Sequence, residues 1–402
     1  MEFLGECGTK YDNRYSLYFN IKVYFKFYHL TPYNGDNMKV NGKNYTSIWF
    51  EENNKVFIID QRWLPHEFKI VELKNINDFS TAIKDMWVRG APLIGVTAAF
   101  AFAKSMETDN SDNTLIETKK KLLLTRPTAV NLQWAVKIMF DLLSNTKKEN
   151  RLDEAFKKAK TILEQDIYSN FRIGENGYEV VKKILNKKKS NSLNVLTHCN
   201  AGWLATVDWG TATSPIYYAK EKGIDIHVFV DETRPRNQGA QLTTWELLHN
   251  NISHDLIVDN AGGHLMQHNE IDLVIVGSDR TSANGDVCNK IGTYLKALAA
   301  YDNNIPFYVA LPSSTIDWNI RDGIKDIPIE ERDTNEVNLV QGKDKNMNII
   351  NVDIAPEGTK SRNPAFDVTP SRLVSGLITE HGVFEANFES LKNLKIISEG
   401  HI

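Results

Sequence analysis

A thiol and a carboxylate, two groups that can exchange protons with a bound substrate, each follow an apolar run of the sequence. Cys199 comes directly after residues 195–198, and Asp279 follows residues 273–278. A third run, 227–230, ends in two acids and an arginine. Because parallel strands end on the same side of an open α/β sheet, where ligands bind, we predict that these three ends meet in one site. The alternative is that they are ordinary polar loops.

Each of these groups also has an ordinary structural explanation. We interpret residues 200–202 as a turn that opens a helix, whose positive end would lower the pKa of the Cys199 thiol below its usual value of about 8.5. The alternative is a small buried side chain without chemistry, and we assign only that role to Cys288, which we place inside a helix. Asp279 could instead cap a helix or pair with Arg280.

Phosphate-binding groups are predicted at two breaks between helices in the first half of the chain. Arg89 precedes Gly90 and Ala91, small residues that let a ligand approach the backbone, and Arg126 precedes a proline. Both guanidinium groups suit bidentate contacts with phosphate. The alternative for each arginine is a surface charge.

The stretch 272–301 is predicted to run from a strand through a turn at Asn284-Gly285 into a helix that begins after Asp286. Asn289 and Lys290 would then lie at the helix start, beside backbone N–H groups that have no partner in the helix. Such an arrangement can bind phosphate. The stretch would therefore supply both an acid and part of a phosphate site.

Several common ligand-binding motifs do not fit this sequence. The pattern G-x-x-x-x-G occurs at residues 90–95, but Val96-Thr97 follows where a Walker loop has Lys-Ser/Thr. No G-x-G-x-x-G follows a strand, which argues against a nicotinamide dehydrogenase, and no G-x-S-x-G indicates an α/β-hydrolase. His264 and His268 have the spacing of metal ligands but no H-E-x-x-H motif or acidic third ligand beside them.

The elements that must position these groups are predicted from hydrophobic periodicity. A small β-sheet ends near residue 60, and helices follow from residue 76 to residue 172. The polar, lysine-rich stretch 185–192 is the predicted domain boundary. Beyond it, strands alternate with helix-length segments, which is typical of a doubly wound, mostly parallel sheet. The predicted strands are 194–198, 224–230, 256–258, 273–277 and 307–311. The fold class is therefore α/β, with domains at 38–185 and 186–402.

Composition limits the classes of partner. The chain has 402 residues, 42% of them hydrophobic and 24% charged, as expected of a globular protein. The formal net charge of −4 offers no electrostatic footprint for nucleic acid, so we expect a small-molecule partner. Three scattered cysteines indicate a reducing compartment, hence the cytoplasm. The longest apolar run, 93–103, has about half the ~20 residues of a membrane span, and no signal-peptide pattern is present.

Residues 1–37 differ from the rest of the sequence. They contain many aromatic side chains without a helical or strand period, whereas an ordinary domain pattern starts at Met38. We interpret them as a translation-start artefact or an extension private to this chain. The alternative is an additional edge hairpin.

Six separated motifs resemble the methylthioribose-1-phosphate isomerases of the methionine salvage pathway. The resemblance runs in order, without a large gap, from about Tyr45 to Thr379. Its superfamily also contains ribose-1,5-bisphosphate isomerases and non-catalytic regulatory subunits of translation initiation factor 2B. The motifs are 89–95 (RGAPLIG), 197–200 (THCN), 231–239 (DETRPRNQG), 277–286 (GSDRTSANGD), 289–293 (NKIGT) and 363–370 (NPAFDVTP).

The resemblance implies a helical N-terminal domain fronted by a small sheet, a Rossmann-like C-terminal domain, a homodimer, and no metal or organic cofactor. The expected reaction converts an aldose 1-phosphate to a ketose 1-phosphate. The family's catalytic cysteine and aspartate match Cys199 and Asp279. Its substrate contacts match Arg89, Gly90, Ala91, Arg126, Gln238, Asn289 and Lys290.

The sequence departs from the family pattern just after the cysteine. Ala201 and Trp203 replace a threonine and a small residue, and Asp208-Trp209 stands where Gly-Tyr is more usual. We expect the indole of Trp203 to narrow or re-line the pocket for the 5-substituent of the sugar. Alternative substrates are therefore 5-deoxyribose 1-phosphate and ribose 1,5-bisphosphate, and a regulatory protein of the initiation-factor type is the non-enzymatic alternative.

Overall fold

Two small antiparallel sheets open the part of the chain that the computed structural model describes, residues 38–400. The predictions for residues 1–37 lie outside it. Strands β1 (Lys39–Val40) and β2 (Lys43–Asn44) form a hairpin, and β3 (Ile48–Glu51), β4 (Lys55–Ile59) and β5 (Ile70–Leu73) form a three-stranded sheet. Ile48, Val56, Ile58 and Leu73 pack against the first helices, whereas Ile59 and Trp49 pack in a second cluster. The predicted N-terminal sheet is confirmed.

Five helices follow the small sheet and form the first hydrophobic core. Every residue from Ala91 to Met106 is buried, because the many alanines and Gly95 let neighbouring helices approach on all sides. An ideal Cβ on Gly95 would lie 3.0 Å from the carbonyl oxygen of Asn131. The helices are α1 (Ile76–Lys84), α2 (Ala91–Thr108), α3 (Asp112–Leu123), α4 (Val130–Ser144) and α5 (Arg151–Lys188).

Helix α5 has 38 residues and is longer than the sequence pattern indicated. We predicted its end at Arg172, but it continues to Lys188 and stops where Lys189 adopts a left-handed conformation with φ of 54°. Phe156 belongs to the first apolar cluster, whereas Val180 belongs to the cluster beneath the large sheet. The helix therefore contributes to both cores, and the boundary at 185–192 stays a prediction.

The large sheet has seven strands in the order β18-β17-β12-β9-β6-β7-β8. Neighbouring strands are parallel except β17 and β18. This confirms the Rossmann-like, mostly parallel sheet. The strands are β6 (Ser192–Thr197), β7 (Asp225–Asp231), β8 (Ser253–Ile257), β9 (Leu273–Val276), β12 (Phe307–Ala310), β17 (Gly376–Thr379) and β18 (Gly382–Phe384).

Apolar side chains cover both faces of this sheet. Along β9, Leu273 and Ile275 join one cluster and Val274 and Val276 join another, as the alternation of a strand requires. Helices α5, α6 (Ser214–Glu221) and α7 (Thr244–His249) cover the first face, and α8 (Ala261–Gln267), α9 (Thr293–Asp302) and α12 (Phe388–Glu399) cover the second.

The predicted helix at 286–301 is wrong in its first half. Residues Val287–Lys290 form strand β11, which pairs antiparallel with β10 (Arg280–Ser282) and β16 (Phe366–Thr369), and helix α9 begins only at Thr293. Cys288 therefore lies on a strand. Pairing with β16 is a contact across almost 80 residues of sequence, and such tertiary pairing overrides local pattern.

The remaining elements surround this second sheet, which has the order β13-β10-β11-β16. Strand β13 (Ile316–Asp317) pairs with β10, and a separate hairpin consists of β14 (Leu339–Lys343) and β15 (Ile349–Asp353). Two short helices, α10 (Gly323–Asp326) and α11 (Asn335–Asn338), lie between β13 and β14 in sequence. The segment that joins α10 to α11 contributes side chains to the pocket described below.

Three buried acids predict how stability depends on pH. Loss of hydration raises the pKa of Asp166, Asp208 and Glu246 to about 7. The folded state then keeps protons that the unfolded state loses near pH 4. The contribution of each acid to the free energy of unfolding should therefore be largest below pH 4. It should fall as pH rises to 7, by up to about 4 kcal/mol per group.

Urea unfolding at pH 5, 6, 7 and 8 measures this dependence. The Asp208→Asn variant should show a flatter curve, because its amide takes no part in the titration. An equally steep curve in the variant would contradict the assignment for Asp208.

Candidate active site

A pocket lies at the carboxyl ends of β6, β7 and β9, which are neighbours in the sheet. The loops after these strands meet the start of α2 and the segment between α3 and α4. Two of the three predicted strand ends bring their groups into it, Cys199 after β6 and Asp279 after β9. The loop after β7 contributes Arg236 and Gln238, whereas the predicted groups Asp231, Glu232 and Arg234 do not line the pocket. All nine residues predicted for the site line this one pocket: Arg89, Gly90, Ala91, Arg126, Cys199, Gln238, Asp279, Asn289 and Lys290.

Cys199 is held by its backbone at the tip of β6. Its φ is 67°, and its N–H donates to Oγ1 of Thr233 over 2.8 Å. Its carbonyl accepts from Oγ1 of Thr243 over 2.8 Å. A non-glycine residue in the left-handed region is strained, so these two hydroxyl contacts stabilise a conformation that presents the thiol to the pocket.

The predicted effect of a helix on the thiol is wrong. A short 3₁₀ turn, Trp203–Ala205, follows Cys199, and the next helix, α6, starts only at Ser214. Burial raises the pKa of the Cys199 thiol, while Arg89 and Lys290 act in the opposite direction. The thiol is therefore protonated more readily than a free cysteine, and nearby cations stabilise its thiolate when it forms.

Asp279 lies opposite, between β9 and β10, and its backbone N–H donates to the carbonyl of Cys288 over 3.0 Å. Burial raises the pKa of its carboxyl, with Lys290, Arg126 and Arg89 acting against the rise. The suggested pairing of Asp279 with Arg280 is not observed. Arg280 instead approaches Asp317 at 3.5 Å and donates to the carbonyl of Thr128.

The predicted cations surround the thiol and the carboxyl. Arg89 donates through Nη1 to the carbonyl of Asn200 over 3.2 Å and through Nη2 to its side-chain Oδ1. Lys290 donates to the carbonyl of Ala365 over 2.9 Å. Burial lowers the pKa of Arg89 and of Lys290. Desolvated cations of this kind attract an anionic group strongly.

Asn289 and Gln238 complete the set of predicted contacts. Asn289 donates through Nδ2 to Oγ1 of Thr293 over 3.0 Å. Because Asn289 and Lys290 lie on strand β11, their side chains rather than helix N–H groups offer the contact with a ligand. Among the described residues, Oε1 of Gln238 has no hydrogen-bond partner, so it can accept a hydrogen bond from a bound molecule.

Sequence reasoning missed two arginines of the pocket, Arg236 and Arg332. Both bind Glu336, at 2.9 and 2.7 Å. Although burial opposes it, their hydrogen bonds hold the pKa of Glu336 at about 2. Arg126 approaches Glu330 at 3.6 Å in the same network. Arg236 lies within the family motif 231–239, so the motif could have identified it as a pocket residue. The sequence around Arg332 has no recognisable pattern that could have done the same.

Gly90 explains why small residues follow Arg89. Its φ is 92°, and an ideal Cβ would lie 2.3 Å from the carbonyl oxygen of Ala205. The start of α2 therefore packs directly against the turn that follows Cys199. A side chain at position 90 would separate the arginine from the loop of the cysteine.

The expected effect of Trp203 on the pocket is wrong. Its side chain is fully buried beside Trp245 in the cluster under the sheet, and it does not line the pocket. The side chain of Asp208 also lies outside the pocket lining. The backbone N–H of Trp203 donates to Glu246 over 3.0 Å, and its indole packs in the core. Of the departures from the family pattern, Trp203, Asp208 and Trp209 therefore lie outside the pocket wall, whereas Ala201 lines it.

One group of possible metal ligands is present in residues 38–400, namely His198, Asp231 and Asp259. Lys296 lies 3.3 Å from Asp231 and donates to the carbonyl of Asp259, so an ammonium group already supplies positive charge there. The ring centroids of His264, in α8, and His268, just after it, lie 4.2 Å apart. Within residues 38–400, no third His, Cys, Asp or Glu joins these two as a ligand.

Comparison with known proteins assigns the family. The model of the initiation factor 2 subunit family matches residues 87–386. The methylthioribose-1-phosphate isomerase of Brucella anthropi is 59% identical over 359 residues, which cover 89% of this chain and 99% of that protein. The one from Cereibacter sphaeroides is 60% identical over 357 residues, covering 89% and 98%. The chain belongs to the methylthioribose-1-phosphate isomerase family.

Solved structures agree with membership of the methylthioribose-1-phosphate isomerase family. The 5-methylthioribose 1-phosphate isomerase of Pyrococcus horikoshii superposes with a TM-score of 0.76 at 38% identity, covering 88% of this chain and 97% of that one. A translation initiation factor eIF-2B delta subunit from A. fulgidus gives 0.72 at 37% identity, covering 87% and 100%. None of the helices in residues 38–400 combines the length and apolar character needed to span a bilayer.

Proposed function

We propose that the chain is an aldose-ketose isomerase of methionine salvage, which converts 5-methylthioribose 1-phosphate to 5-methylthioribulose 1-phosphate. The observation that carries the proposal is identity of 59% along 99% of a relative with this activity in its name. A pocket that combines a buried thiol, a buried carboxyl and several cations supports it chemically.

One end of the substrate is an anionic phosphate and the other an uncharged 5-substituent, and the pocket has groups suited to each. Arg89, Arg126 and Lys290 suit the phosphate, since buried cations bind it by charge-assisted hydrogen bonds. An apolar part of the lining suits an uncharged 5-substituent such as a methylthio group. It consists of Met86, Ile94, Ile327 and Pro328. Binding energy from both ends would orient the sugar between Cys199 and Asp279.

The reaction requires three hydrogen movements, because the phosphate on the anomeric oxygen prevents simple hemiacetal opening. The ring oxygen gains a proton as its bond to C1 breaks, the 2-hydroxyl loses a proton, and one hydrogen moves from C2 to C1. We assign the two oxygen transfers to Asp279, which gives a proton to the ring oxygen and later takes one from the 2-hydroxyl.

Cys199 carries the hydrogen between the carbon atoms in this scheme. Its thiolate takes the C2 proton, the C2–H electrons form a C1–C2 double bond, and the resulting enol receives a proton at C1 from the thiol, whose S–H exchanges with solvent. The C2 carbonyl forms as the 2-hydroxyl proton returns to Asp279. The alternative is direct hydride transfer from C2 to C1, in which no proton passes through the thiol.

Incubation of the purified protein with sugar phosphates tests the activity. We expect proton NMR to show conversion of 5-methylthioribose 1-phosphate to the ketose, faster than conversion of 5-deoxyribose 1-phosphate or ribose 1,5-bisphosphate. In D2O, proton transfer should place deuterium at C1 of the product, whereas hydride transfer should not. Absence of conversion of all three compounds would contradict the proposal and favour a non-catalytic binding role.

The proposal extends to the partners of the chain. A homodimer in the cytoplasm, with no nucleic acid partner, is part of it and rests on the family resemblance and on the net charge of −4. No metal or organic cofactor takes part in the scheme above, because side chains supply every proton transfer. The small-molecule partner is the sugar phosphate.

A further inference from the structure

Glu246 is a fully buried carboxylate behind the active-site loop, in helix α7. It accepts four hydrogen bonds, and three of them come from the loop that follows Cys199. The donors are Nδ2 of Asn200 at 2.8 Å, the backbone N–H groups of Trp203 and Leu204 at 3.0 Å each, and the hydroxyl of Tyr217 at 3.3 Å. Burial raises the pKa of Glu246 to about 7, so the side chain is a carboxylate at pH 8, and a charged acceptor in this position fixes the path of the loop.

The loop lies so close to Glu246 that position 202 has no room for a side chain. An ideal Cβ on Gly202 would lie 1.8 Å from Oε2 of the carboxylate. Only a glycine therefore fits at position 202, and the backbone packs directly against the carboxylate. A shift of the carboxylate would therefore move the loop.

Asn200 connects this carboxylate to the pocket. Its Nδ2 donates both to Glu246 and to Oγ1 of Thr243, at 2.8 and 3.1 Å. With both amide hydrogens bound on that side, Oδ1 must point to the other side, where it accepts from Nη2 of Arg89. The backbone carbonyl of Asn200 accepts from Nη1 of the same guanidinium over 3.2 Å. The orientation of Arg89 thus depends on an amide whose direction Glu246 determines.

The charges around Arg89 support the same connection between Glu246 and the pocket. Arg89 is buried, and a buried cation without a compensating anion is costly. Glu246, Cys199 and Asp279 are the groups of opposite sign that act on the guanidinium. The last two must change protonation during the proposed reaction, whereas Glu246 lies outside the pocket lining and takes no part in it.

We propose that Glu246 is a positioning residue of the active site, which holds the Arg89 guanidinium toward the substrate through the Asn200 side chain and the loop 200–204. The inference rests on the proposed role of Arg89 in binding the sugar phosphate. It adds a residue outside the pocket to the groups that determine activity.

A double-mutant cycle at pH 8 tests the connection. Glu246→Gln keeps the size of the side chain but places an amide donor against the N–H of Trp203 or Leu204. We expect kcat/KM to fall about 10–100-fold, as is typical when a group that orients a functional residue is lost. If Glu246 acts through Arg89, adding Glu246→Gln to an Arg89→Lys enzyme should lower kcat/KM by less than about threefold more.

Asp208→Asn is the matched control, because Asp208 is also buried, also has a raised pKa of about 7, and does not line the pocket. We expect its kcat/KM to stay within about twofold of the wild type. Equal effects of Glu246→Gln and Asp208→Asn, or independent, multiplying effects of the Glu246 and Arg89 changes, would overturn the proposal.

Two further measurements keep the outcomes separate. If Glu246→Gln is too unstable to assay, Asn200→Ser breaks the same connection and should show the same lack of additivity with Arg89→Lys; full additivity there would overturn the proposal. Turnover by the wild type tests the proposed function alone. An active wild type with unaffected Glu246→Gln would contradict only the positioning role, whereas an inactive wild type would contradict the function and with it the role of Arg89.

Discussion

Asp279→Asn is expected to lower kcat about 10²–10⁴-fold, the usual contribution of a general acid-base group. The amide has nearly the same size but cannot give a proton to the ring oxygen or take one from the 2-hydroxyl. The raised pKa of Asp279 makes this loss large, because a carboxyl that keeps its proton nearer to neutral pH is an effective acid. Substrate binding should change little, since the cations around the site remain.

Steady-state kinetics on the wild type, Asp279→Asn and Asp317→Asn measure this effect. Asp317 pairs with Arg280 near the site and does not line the pocket, so its variant controls for a changed charge. We expect kcat to fall only in Asp279→Asn, with KM within about threefold of the wild type. Wild-type turnover in Asp279→Asn would refute the role of the carboxyl.

The pH dependence of the wild type gives a second measure. An acid that must be protonated loses activity as pH rises through its pKa. Since burial raises that pKa, the alkaline decline should lie at higher pH than an ordinary aspartate near 3.9 would give. The decline due to this group should be absent from the residual activity of Asp279→Asn.

Cys199→Ser is the second change with a large expected effect, again about 10²–10⁴-fold in kcat. Serine retains the size of the side chain, but its hydroxyl is a far weaker acid than a thiol and does not form the base that removes the C2 proton. The backbone contacts to Thr233 and Thr243 do not involve the thiol. The fold and the left-handed conformation at position 199 should therefore persist.

Kinetics and isotope incorporation together distinguish the two paths of hydrogen. If the thiol carries the proton, wild type in D2O should place deuterium at C1, and Cys199→Ser should lose turnover. Cys288→Ala is the control for the loss of a thiol, since Cys288 is the other cysteine in the described region; it lies on β11 and also lines the pocket, but its side chain has no part in the proposed scheme. Unchanged turnover in Cys199→Ser would show that the thiol is not required.

The strand ends of the large sheet could be predicted from sequence because each strand is a short apolar run followed by polar residues. Parallel topology places the loops at Cys199, Asp231 and Asp279 at the same edge of the sheet, whereas the neighbouring positions of their strands, in the order β9-β6-β7, come from the structure. The family motifs then added Arg89, Arg126, Gln238 and the pair Asn289 and Lys290, and the structure places all of these in the same pocket.

The predictions that were wrong or incomplete concern contacts between residues that are distant in sequence. Strand β11 was taken for a helix because its partner β16 lies almost 80 residues away. Trp203 was placed at the pocket because the sequence does not show that Glu246 binds the backbone beside it. Arg332 was missed because the sequence around it has neither helical nor strand periodicity. Its segment is held instead by the ion pair of Arg332 with Glu336, which also accepts a hydrogen bond from Asn363.

Helix α5 bears on how the chain can be divided into fragments. Its 38 residues, about 57 Å long at 1.5 Å per residue, contribute side chains to both apolar clusters. A fragment that begins at the lysine-rich stretch near residue 185 would expose the side chains of the large sheet that α5 covers, while α6 and α7 would still cover the rest of that face. A fragment of the α/β half that keeps this face fully covered therefore includes the C-terminal part of the helix.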